Sequence, residues 1–348
     1  MSEAVLIIGG GPAGLAAAAS LADLGVEAVL VEKEPELGGT PKKYAYSKLV
    51  PDLRPAQETL APLVQRVQGR EGLRVLTDAR PTAVSGKAGD FKVRLTGPAG
   101  EEELSAGAII VATGFEHFDA RRDTKYGYGI YPDVVDIRDM ERMLSEPQLK
   151  RPSDGQVPQR VGFILCVGSR DRMVGNTYCS RVCCSVCCVQ AIEVKEKNPA
   201  AEVYIFYMDI RTYGLLENLY WEAQEEHGVL FVKGRVGEIL PRDGQLMVKG
   251  EDTLLRGPFE VPFDLMVLAS GMEPGEGTVQ VAELLNLARE PNGFLAPRDS
   301  HTAPLEAAVE GVFLAGADLA PKFSDDAVAE GAGAAVRAAA FLRSRAGR

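Results

Sequence analysis

Residues 4–34 read AVLIIGGGPAGLAAAASLADLGVEAVLVEKE, and this stretch decides the fold. It gives an apolar strand, a glycine turn, a helix of small residues and a second apolar strand. Gly9-x-Gly11-x-x-Gly14 falls at the strand-to-helix turn, and Glu32 closes the second strand 18 residues after Gly14. Each part has a task in gripping a dinucleotide. The first glycines let backbone approach a pyrophosphate, and the third lets helix and sheet pack closely. The helix amino terminus favours the phosphate charge, while Glu32 is placed to accept hydrogen bonds from an adenosine ribose. Gly9, Gly11, Pro12, Ala13 and Gly14, with Glu32 and Lys33, are therefore expected to contact the nucleotide.

Three further features bear on which nucleotide it is. Leu37-Gly38-Gly39, followed by Thr40, comes soon after Glu32. Ala108 to Gly114, AIIVATG, is a buried strand ending in a small-residue turn that includes Thr113 and Gly114. Residues 311–342, GVFLAGADLAPKFSDDAVAEGAGAAVRAAAFL, repeat the logic with a strand, Gly316, Asp318 and a helix opening near Asp326. The set resembles the two-dinucleotide-binding flavoprotein superfamily, the relatives of thioredoxin and glutathione reductases, over the whole chain. The resemblance implies an α/β fold in which an FAD-binding Rossmann-like domain carries an inserted NAD(P)-binding-like one. It also implies FAD, with Gly39, Thr40, Thr113, Gly114 and Gly316 near it and Asp318 bonding the ribityl or pyrophosphate. The helix starting near Ala327 and Val328 would turn its amides toward the flavin, where a positive helix end favours reduced, anionic flavin.

The bulk properties narrow the partners. The chain has 348 residues, 46% of them hydrophobic and 25% charged, with a net charge of −11. That balance disfavours a surface that tracks nucleic-acid phosphates. No apolar run approaches the ~20 residues a membrane span needs. No basic-then-apolar leader precedes the first strand, so a cytoplasmic protein is expected, where thiols stay reduced. In that setting clustered cysteines suggest metal binding or redox chemistry before structural disulfides.

The middle of the chain has the outline of the second dinucleotide domain. The expected boundaries are 1–150 and 272–348 for the FAD-binding domain and 151–271 for the insertion. Arg160 to Val167 and Glu202 to Asp209 read as strands, Gly214 to His227 as a helix and Val229 to Val232 as a strand. Val261 to Gly271 then reads as one strand with a turn. Yet the first of these strands runs into CVGSRDRMVGNTYC, which lacks a second G-x-G-x-x-G. Arg170, Asp171 and Arg172 stand where a dinucleotide wants small residues.

All six cysteines lie here: Cys166, then Cys179, Cys183, Cys184, Cys187 and Cys188 within YCSRVCCSVCC. Cys166 ends a strand and points into the crevice where open α/β sheets bind ligands. Four thiolates from Cys166, Cys179, Cys183 and Cys184 suit an iron–sulfur cubane, and zinc could also take four. Successive helical residues diverge by ~100°, so Cys183 and Cys184 reach one cluster only where the helix begins. Cys187 and Cys188, one turn on, read as small apolar packing.

The pattern Cys166-x12-Cys179-x3-Cys183-Cys184, set in CVGSRD and YCSRVCC, resembles the A-type subunit of heterodisulfide reductases and their homologues in sulfur oxidisers. YIFYMDIRTYG (Tyr204 to Gly214) and AQEEHGVLFVKGRVGEI (Ala223 to Ile239) look like that family too. The resemblance implies an oxidoreductase subunit with a flavin and a 4Fe–4S cluster held by Cys166, Cys179, Cys183 and Cys184. It further implies a homodimer core that exchanges electrons with B-like and C-like subunits. The larger methanogen members carry extra cluster domains around this core, and here the single core cluster is expected to be the only wire out of the flavin. They also tend to place a lysine near the flavin where this chain has Val189, so bifurcation is not expected and the short sulfur-oxidiser type is. The competing reading is an NAD(P)H-dependent disulfide oxidoreductase with Cys184-x-x-Cys187 as redox pair. A third keeps a structural flavin and a zinc scaffold. His117, His227 and His301 are expected on the surface or in loops rather than in catalysis.

Overall fold

The computed structural model describes residues 4–346. The chain divides into two compact units. One comprises the chain up to Lys43, residues 56–116 and residues from Glu273 onward; the other comprises 44–55 and 117–272.

In the first unit five parallel strands lie in the order Val312–Leu314, Ala108–Val111, Val5–Ile8, Ala28–Val31 and Leu73–Leu76. Their period-2 alternation builds two cores. Val5, Ile7, Leu30 and Ile110 face the helices Pro12–Asp23 and Ser324–Ala346. Leu6, Ile8, Ile109 and Val111 face an antiparallel meander of Arg80–Lys87, Asp90–Gly97 and Gly100–Ala106. The two helices approach closely because their contact is lined by Ala13, Ala17, Ala334 and Ala338. A Cβ on Gly14 would stand 1.8 Å from the Gly9 carbonyl oxygen and 2.9 Å from its carbon, backbone atoms that cannot swing aside. Gly14→Ala is therefore expected to cost about 3 kcal/mol, as overpacking does. Urea unfolding of wild type and variant side by side measures it.

The second unit is a seven-stranded sheet. Its order is Gly257–Phe263, Gln245–Asp252, Leu230–Arg242, Glu202–Tyr207, Arg160–Val167, Leu265–Ser270 and Val134–Asp136. The last five are parallel and the first two add an antiparallel edge. The strand expected at Val261 to Gly271 is two strands, split at Asp264, whose carboxylate accepts the amides of Gln159 and Arg160 at 2.8 and 2.9 Å. The boundary expected at 150 falls at 116/117, because Val134–Asp136 pairs with Met266–Leu268 and the helix Ile137–Ser145 belongs with it. The expected helix at Gly214 to His227 is broken into a 3-10 turn, a short α-helix at Glu217–Trp221 and a π turn.

Candidate functional site

The phosphate-binding turn of the first unit is assembled from the residues singled out in the sequence. Gly9 has φ +114°, and a Cβ there would lie 2.2 Å from the Ala112 carbonyl oxygen. Gly11 and Gly39 face each other, so that a Cβ on Gly39 would come within 2.8 Å of the Gly11 Cα. Pro12 and Ala13 open the helix, with Pro12 at its first position, where a missing N–H costs nothing. Glu32 is 5% exposed, and its carboxylate accepts the amides of Gly10 at 2.6 Å and Glu34 at 2.8 Å. Both oxygens keep a further lone pair, which a ribose hydroxyl can use. Nearby, Leu37, Val64, Leu73 and Val75 line a cavity of about 540 Å³. Lys33 instead reaches Glu116 at 3.7 Å, and Thr40 sits in the short helix Gly39–Lys43. Lys42 and Lys43 pair with Glu36 and Glu34 at 3.0 and 2.6 Å.

Asp318 is the most unusual acid of this unit. It is fully buried, and its Oδ2 accepts the Thr113 amide at 3.0 Å and the Thr113 hydroxyl at 3.2 Å. Its Oδ1 has no partner. Burial pushes its carboxyl up to about 7. A buried carboxylate oxygen left empty is costly, and an FAD hydroxyl donor would relieve it. Thr278, absent from the sequence reading, lies 2.9 Å from the Thr113 hydroxyl and fixes its orientation; nothing in its local sequence marks it. Gly114 adopts φ +76° beyond the strand, and the Gly316 amide goes to Glu330 at 2.9 Å. The carboxyl-terminal helix opens at Ser324, earlier than expected. The Ala327 amide already serves the Phe323 carbonyl at 3.2 Å, so Ala327 and Val328 lie inside the helix rather than at its tip. The reason is local: Asp325 and Asp326 fill the first turn, where the helix dipole favours acids.

In the second unit the cysteines gather at the carboxyl end of Arg160–Val167. The pairing shifts register between Ile164 and Val167, and Cys166 adopts φ +64°. Arg170 and Arg181 are left-handed as well. Three non-glycine residues in this costly region, in one short segment, mark a site whose surroundings enforce its shape. The helix begins at Cys183 and runs to Lys197, so Cys183 and Cys184 both lie in its first turn. No side chain caps that end and no acid occupies the first turn.

The Cys183 thiol lies within hydrogen-bonding reach of both Cys166 and Cys184, and these contacts, with burial, hold its own proton well above the usual thiol range. The same contact with Cys183 brings Cys166 down to about 7 despite burial, with Arg170 assisting. Cys184 is lowered likewise by Cys183. Cys179 stands apart: its sulfur accepts the Arg181 amide at 3.2 Å and is reached by the Arg211 guanidinium. Among the described residues no three histidine, cysteine or carboxylate side chains stand close enough to hold a single metal ion. The three contacting thiols follow one another rather than converge on a point. Four cysteine thiolates of this kind can hold a four-iron cluster or a zinc ion. The buried hydroxyls of Ser169 and Ser185, in the same segments, have no partner.

Cys187 and Cys188 have no exposed surface. Burial holds the Cys187 thiol well above its ordinary range and pushes Cys188 up to about 12. Such thiols are inert packing, which weighs against Cys184 and Cys187 as an exchanging pair. The segment where a second glycine turn would sit folds back on itself, with Arg170 and Asp171 amides bonded to the Tyr178 and Asn176 carbonyls at 2.8 Å. Arg170 is tied to Asp209 by an ion pair. His117 is partly buried rather than exposed, with Nε2 2.7 Å from the Tyr46 hydroxyl. Within the same unit, Tyr126 and Tyr128 donate to the Val236 carbonyl and the Asp139 carboxylate at 3.3 and 2.9 Å.

A glycine turn under a parallel sheet, an acid after the second strand and a buried aspartate at the returning strand define a flavoprotein oxidoreductase of the two-dinucleotide-binding class. The chain belongs to the pyridine nucleotide-disulphide oxidoreductase family, whose sequence profile matches residues 3–333. It is 32% identical, over 97% of its length, to the A-type subunit of the H(2):CoB-CoM heterodisulfide,ferredoxin reductase of Methanothermobacter thermautotrophicus. It is 33% identical, over 96%, to the A-type iron-sulfur subunit of the CoB–CoM heterodisulfide reductase of Methanocaldococcus jannaschii. The chain spans 64% of the length of each of these relatives. In fold it is similar to Lactococcus lactis thioredoxin reductase, with a TM-score of 0.68 at 19% identity over 99% of this chain and 100% of that one. An NAD-dependent persulfide reductase from A. fulgidus gives 0.58 at 18% identity, over 97% of this chain and 59% of that one. Among the described residues no helix is long and apolar enough to cross a membrane.

Proposed function

We propose that the chain is an electron-transfer flavo-iron–sulfur subunit of a heterodisulfide-reductase-like complex. FAD would be held in the first unit by the turn at Gly9, Gly11 and Gly14, by Glu32, and by Thr113 and Asp318. A 4Fe–4S cluster would be held in the second by Cys166, Cys179, Cys183 and Cys184. When bound, FAD can exchange electrons in pairs or singly and the cluster only singly, so electrons would pass between the two one at a time. The chain's own residues do the rest. Thr278 orients Thr113, and Thr113 holds one Asp318 oxygen so that the other faces a donor. The left-handed turn at Cys166 brings its thiol onto Cys183, and Arg170 and Arg211 offset the negative charge that thiolates gather.

The observation that carries this reading is the helix that opens at Cys183, with both vicinal cysteines in its first turn and Cys166 in contact. An uncapped helix end of this kind favours anionic thiolates. Relatives named as iron–sulfur subunits support it. The reading extends to a cytoplasmic homodimer that meets B-like and C-like subunits, and to sulfur-compound oxidation without bifurcation. That last element rests on Val189, buried and uncharged where the family resemblance implies a lysine. Anaerobically purified protein is expected to contain about four irons and four acid-labile sulfides per FAD. Full flavin with less than about one iron would sink the cluster assignment.

A further inference from the structure

The strands Arg160–Val167 and Glu202–Tyr207 are parallel neighbours, so the loops that leave their carboxyl ends lie side by side. One loop carries Arg170, four residues after Cys166, and the other carries Asp209 and Arg211. Asp209 joins them. Its Oδ1 holds the Arg170 guanidinium, and its Oδ2 accepts from the Arg211 Nε at 3.0 Å. A carboxylate engaged on both oxygens by charged donors fixes where the two guanidinium groups lie. From there each reaches a sulfur, Arg170 that of Cys166 and Arg211 that of Cys179.

Backbone amides add to these two contacts. The Arg181 amide donates to the Cys179 sulfur at 3.2 Å, and the Arg211 amide to that of Cys184. Arg170 and Arg181 both hold a left-handed backbone, a strain that the surroundings enforce where these donors stand. Of Cys166, Cys179, Cys183 and Cys184, three thus face N–H donors, and two of those donors carry full charge. Asp209 offsets one charge of the pair it joins and leaves the trio with a net positive one. Burial acts in the opposite sense. Cys166, Cys183 and Cys184 are buried, and an apolar setting penalises added negative charge.

We propose that Arg170 and Arg211, aimed by Asp209, raise the reduction potential of the centre that these cysteines hold. The proposal rests on the cluster reading above and deepens it, with the two arginines as donors to the ligand sulfurs and Asp209 as their positioning residue. Reduction by one electron adds one negative charge and no proton, and that charge spreads onto the sulfurs. Hydrogen bonds to the sulfurs, net charge and solvent exposure are the levers a protein has on such a potential. Here the first two favour the reduced centre and offset what burial costs it. Asp209 and Arg211 stand in YIFYMDIRTYG and Arg170 in CVGSRD, and the bridge gives both stretches a shared task.

The test is a potentiometric titration of the FAD- and iron-loaded protein, followed by the paramagnetic resonance of the reduced cluster. Arg170→Gln and Arg211→Gln are each expected to make reduction about tenfold less favourable, a midpoint lower by ~59 mV. Arg211→Lys keeps the charge without the planar fork and is expected to lose less than Arg211→Gln. Arg242→Gln is the comparison, since Arg242 lies on the antiparallel edge of the same sheet and pairs with Glu260 at 3.2 Å. It is expected to match wild type. The Arg211 side chain is 42% exposed, so its exchange opens no core. A midpoint that both glutamine variants leave in place overturns the proposal, and so does an equal fall in Arg242→Gln. An Arg211→Lys midpoint equal to that of wild type overturns the part given to Asp209, because a charge without aim would then suffice. Iron and sulfide are measured on the same samples. Iron-free wild type refutes the cluster reading and this proposal with it, whereas an iron-loaded wild type whose midpoint ignores the arginines refutes this proposal alone.

Discussion

Cys183→Ser is expected to strip the protein of iron and leave its flavin in place. Cys183 is the hub of the thiol group, 1% exposed and bonded to both Cys166 and Cys184. Serine matches its size, so the first turn of the helix should still form, but a buried hydroxyl does not ionise and is a hard donor that iron–sulfur clusters rarely accept. Iron is expected to fall from about four per chain to below about one, with loss of the broad absorbance near 400 nm. The flavin residues belong to the other compact unit, so FAD content should change little. Cys187→Ser is the matched comparison, one turn along the same helix and equally buried. It is expected to keep its iron and to lose about 1–2 kcal/mol of stability from placing an unpaired hydroxyl in the core. Iron lost from Cys187→Ser and kept in Cys183→Ser would move the ligand set one turn down the helix.

These two cysteines also show what a sequence can convey. That only a helix beginning at the vicinal pair brings both thiols to one body follows from helical geometry alone, and the helix does begin at Cys183. The strand Arg160–Val167 was legible for a similar reason, an apolar run with clear ends. The left-handed turns at Cys166, Arg170 and Arg181 were not, because none of these residue types favours that conformation and only tertiary contacts enforce it. Thr278 was hidden because its partner Thr113 lies far away in the chain. The crossing at 116/117 was missed because Val134–Asp136 is only three residues long, too short for a period to declare which sheet it joins. At the carboxyl end, Asp326 drew the expected helix start inward, although Ser324 and both following acids suit a first turn.

Asp318 yields the prediction with the clearest sign. Its folded carboxyl lies at about 7 against an ordinary 3.8, because burial penalises its charge. Flavin-free protein therefore binds this proton more tightly when folded than when unfolded. The associated stability is fully present below about pH 4, is lost as pH rises through 7, and is flat above that. At about 1.4 kcal/mol per pH unit, the loss is on the order of 4 kcal/mol. Asp318→Asn retains an acceptor for Thr113 and has no charge to bury, so its flavin-free form should show none of this slope and should melt higher than wild type at pH 8. The flavin-bound comparison should run the other way. If a flavin hydroxyl donates to the partnerless Oδ1, binding favours the carboxylate, and FAD affinity should tighten as pH rises toward 7 and then level off. The asparagine variant should bind FAD about tenfold or more weakly at pH 8, with no such rise, since a charged acceptor gives the stronger bond. Thermal melts with and without FAD across pH 5 to 8 measure both arms. A variant that gains flavin-free stability yet holds FAD as tightly as wild type would mean that Asp318 stabilises no flavin contact, and that its empty oxygen is simply a cost the fold carries.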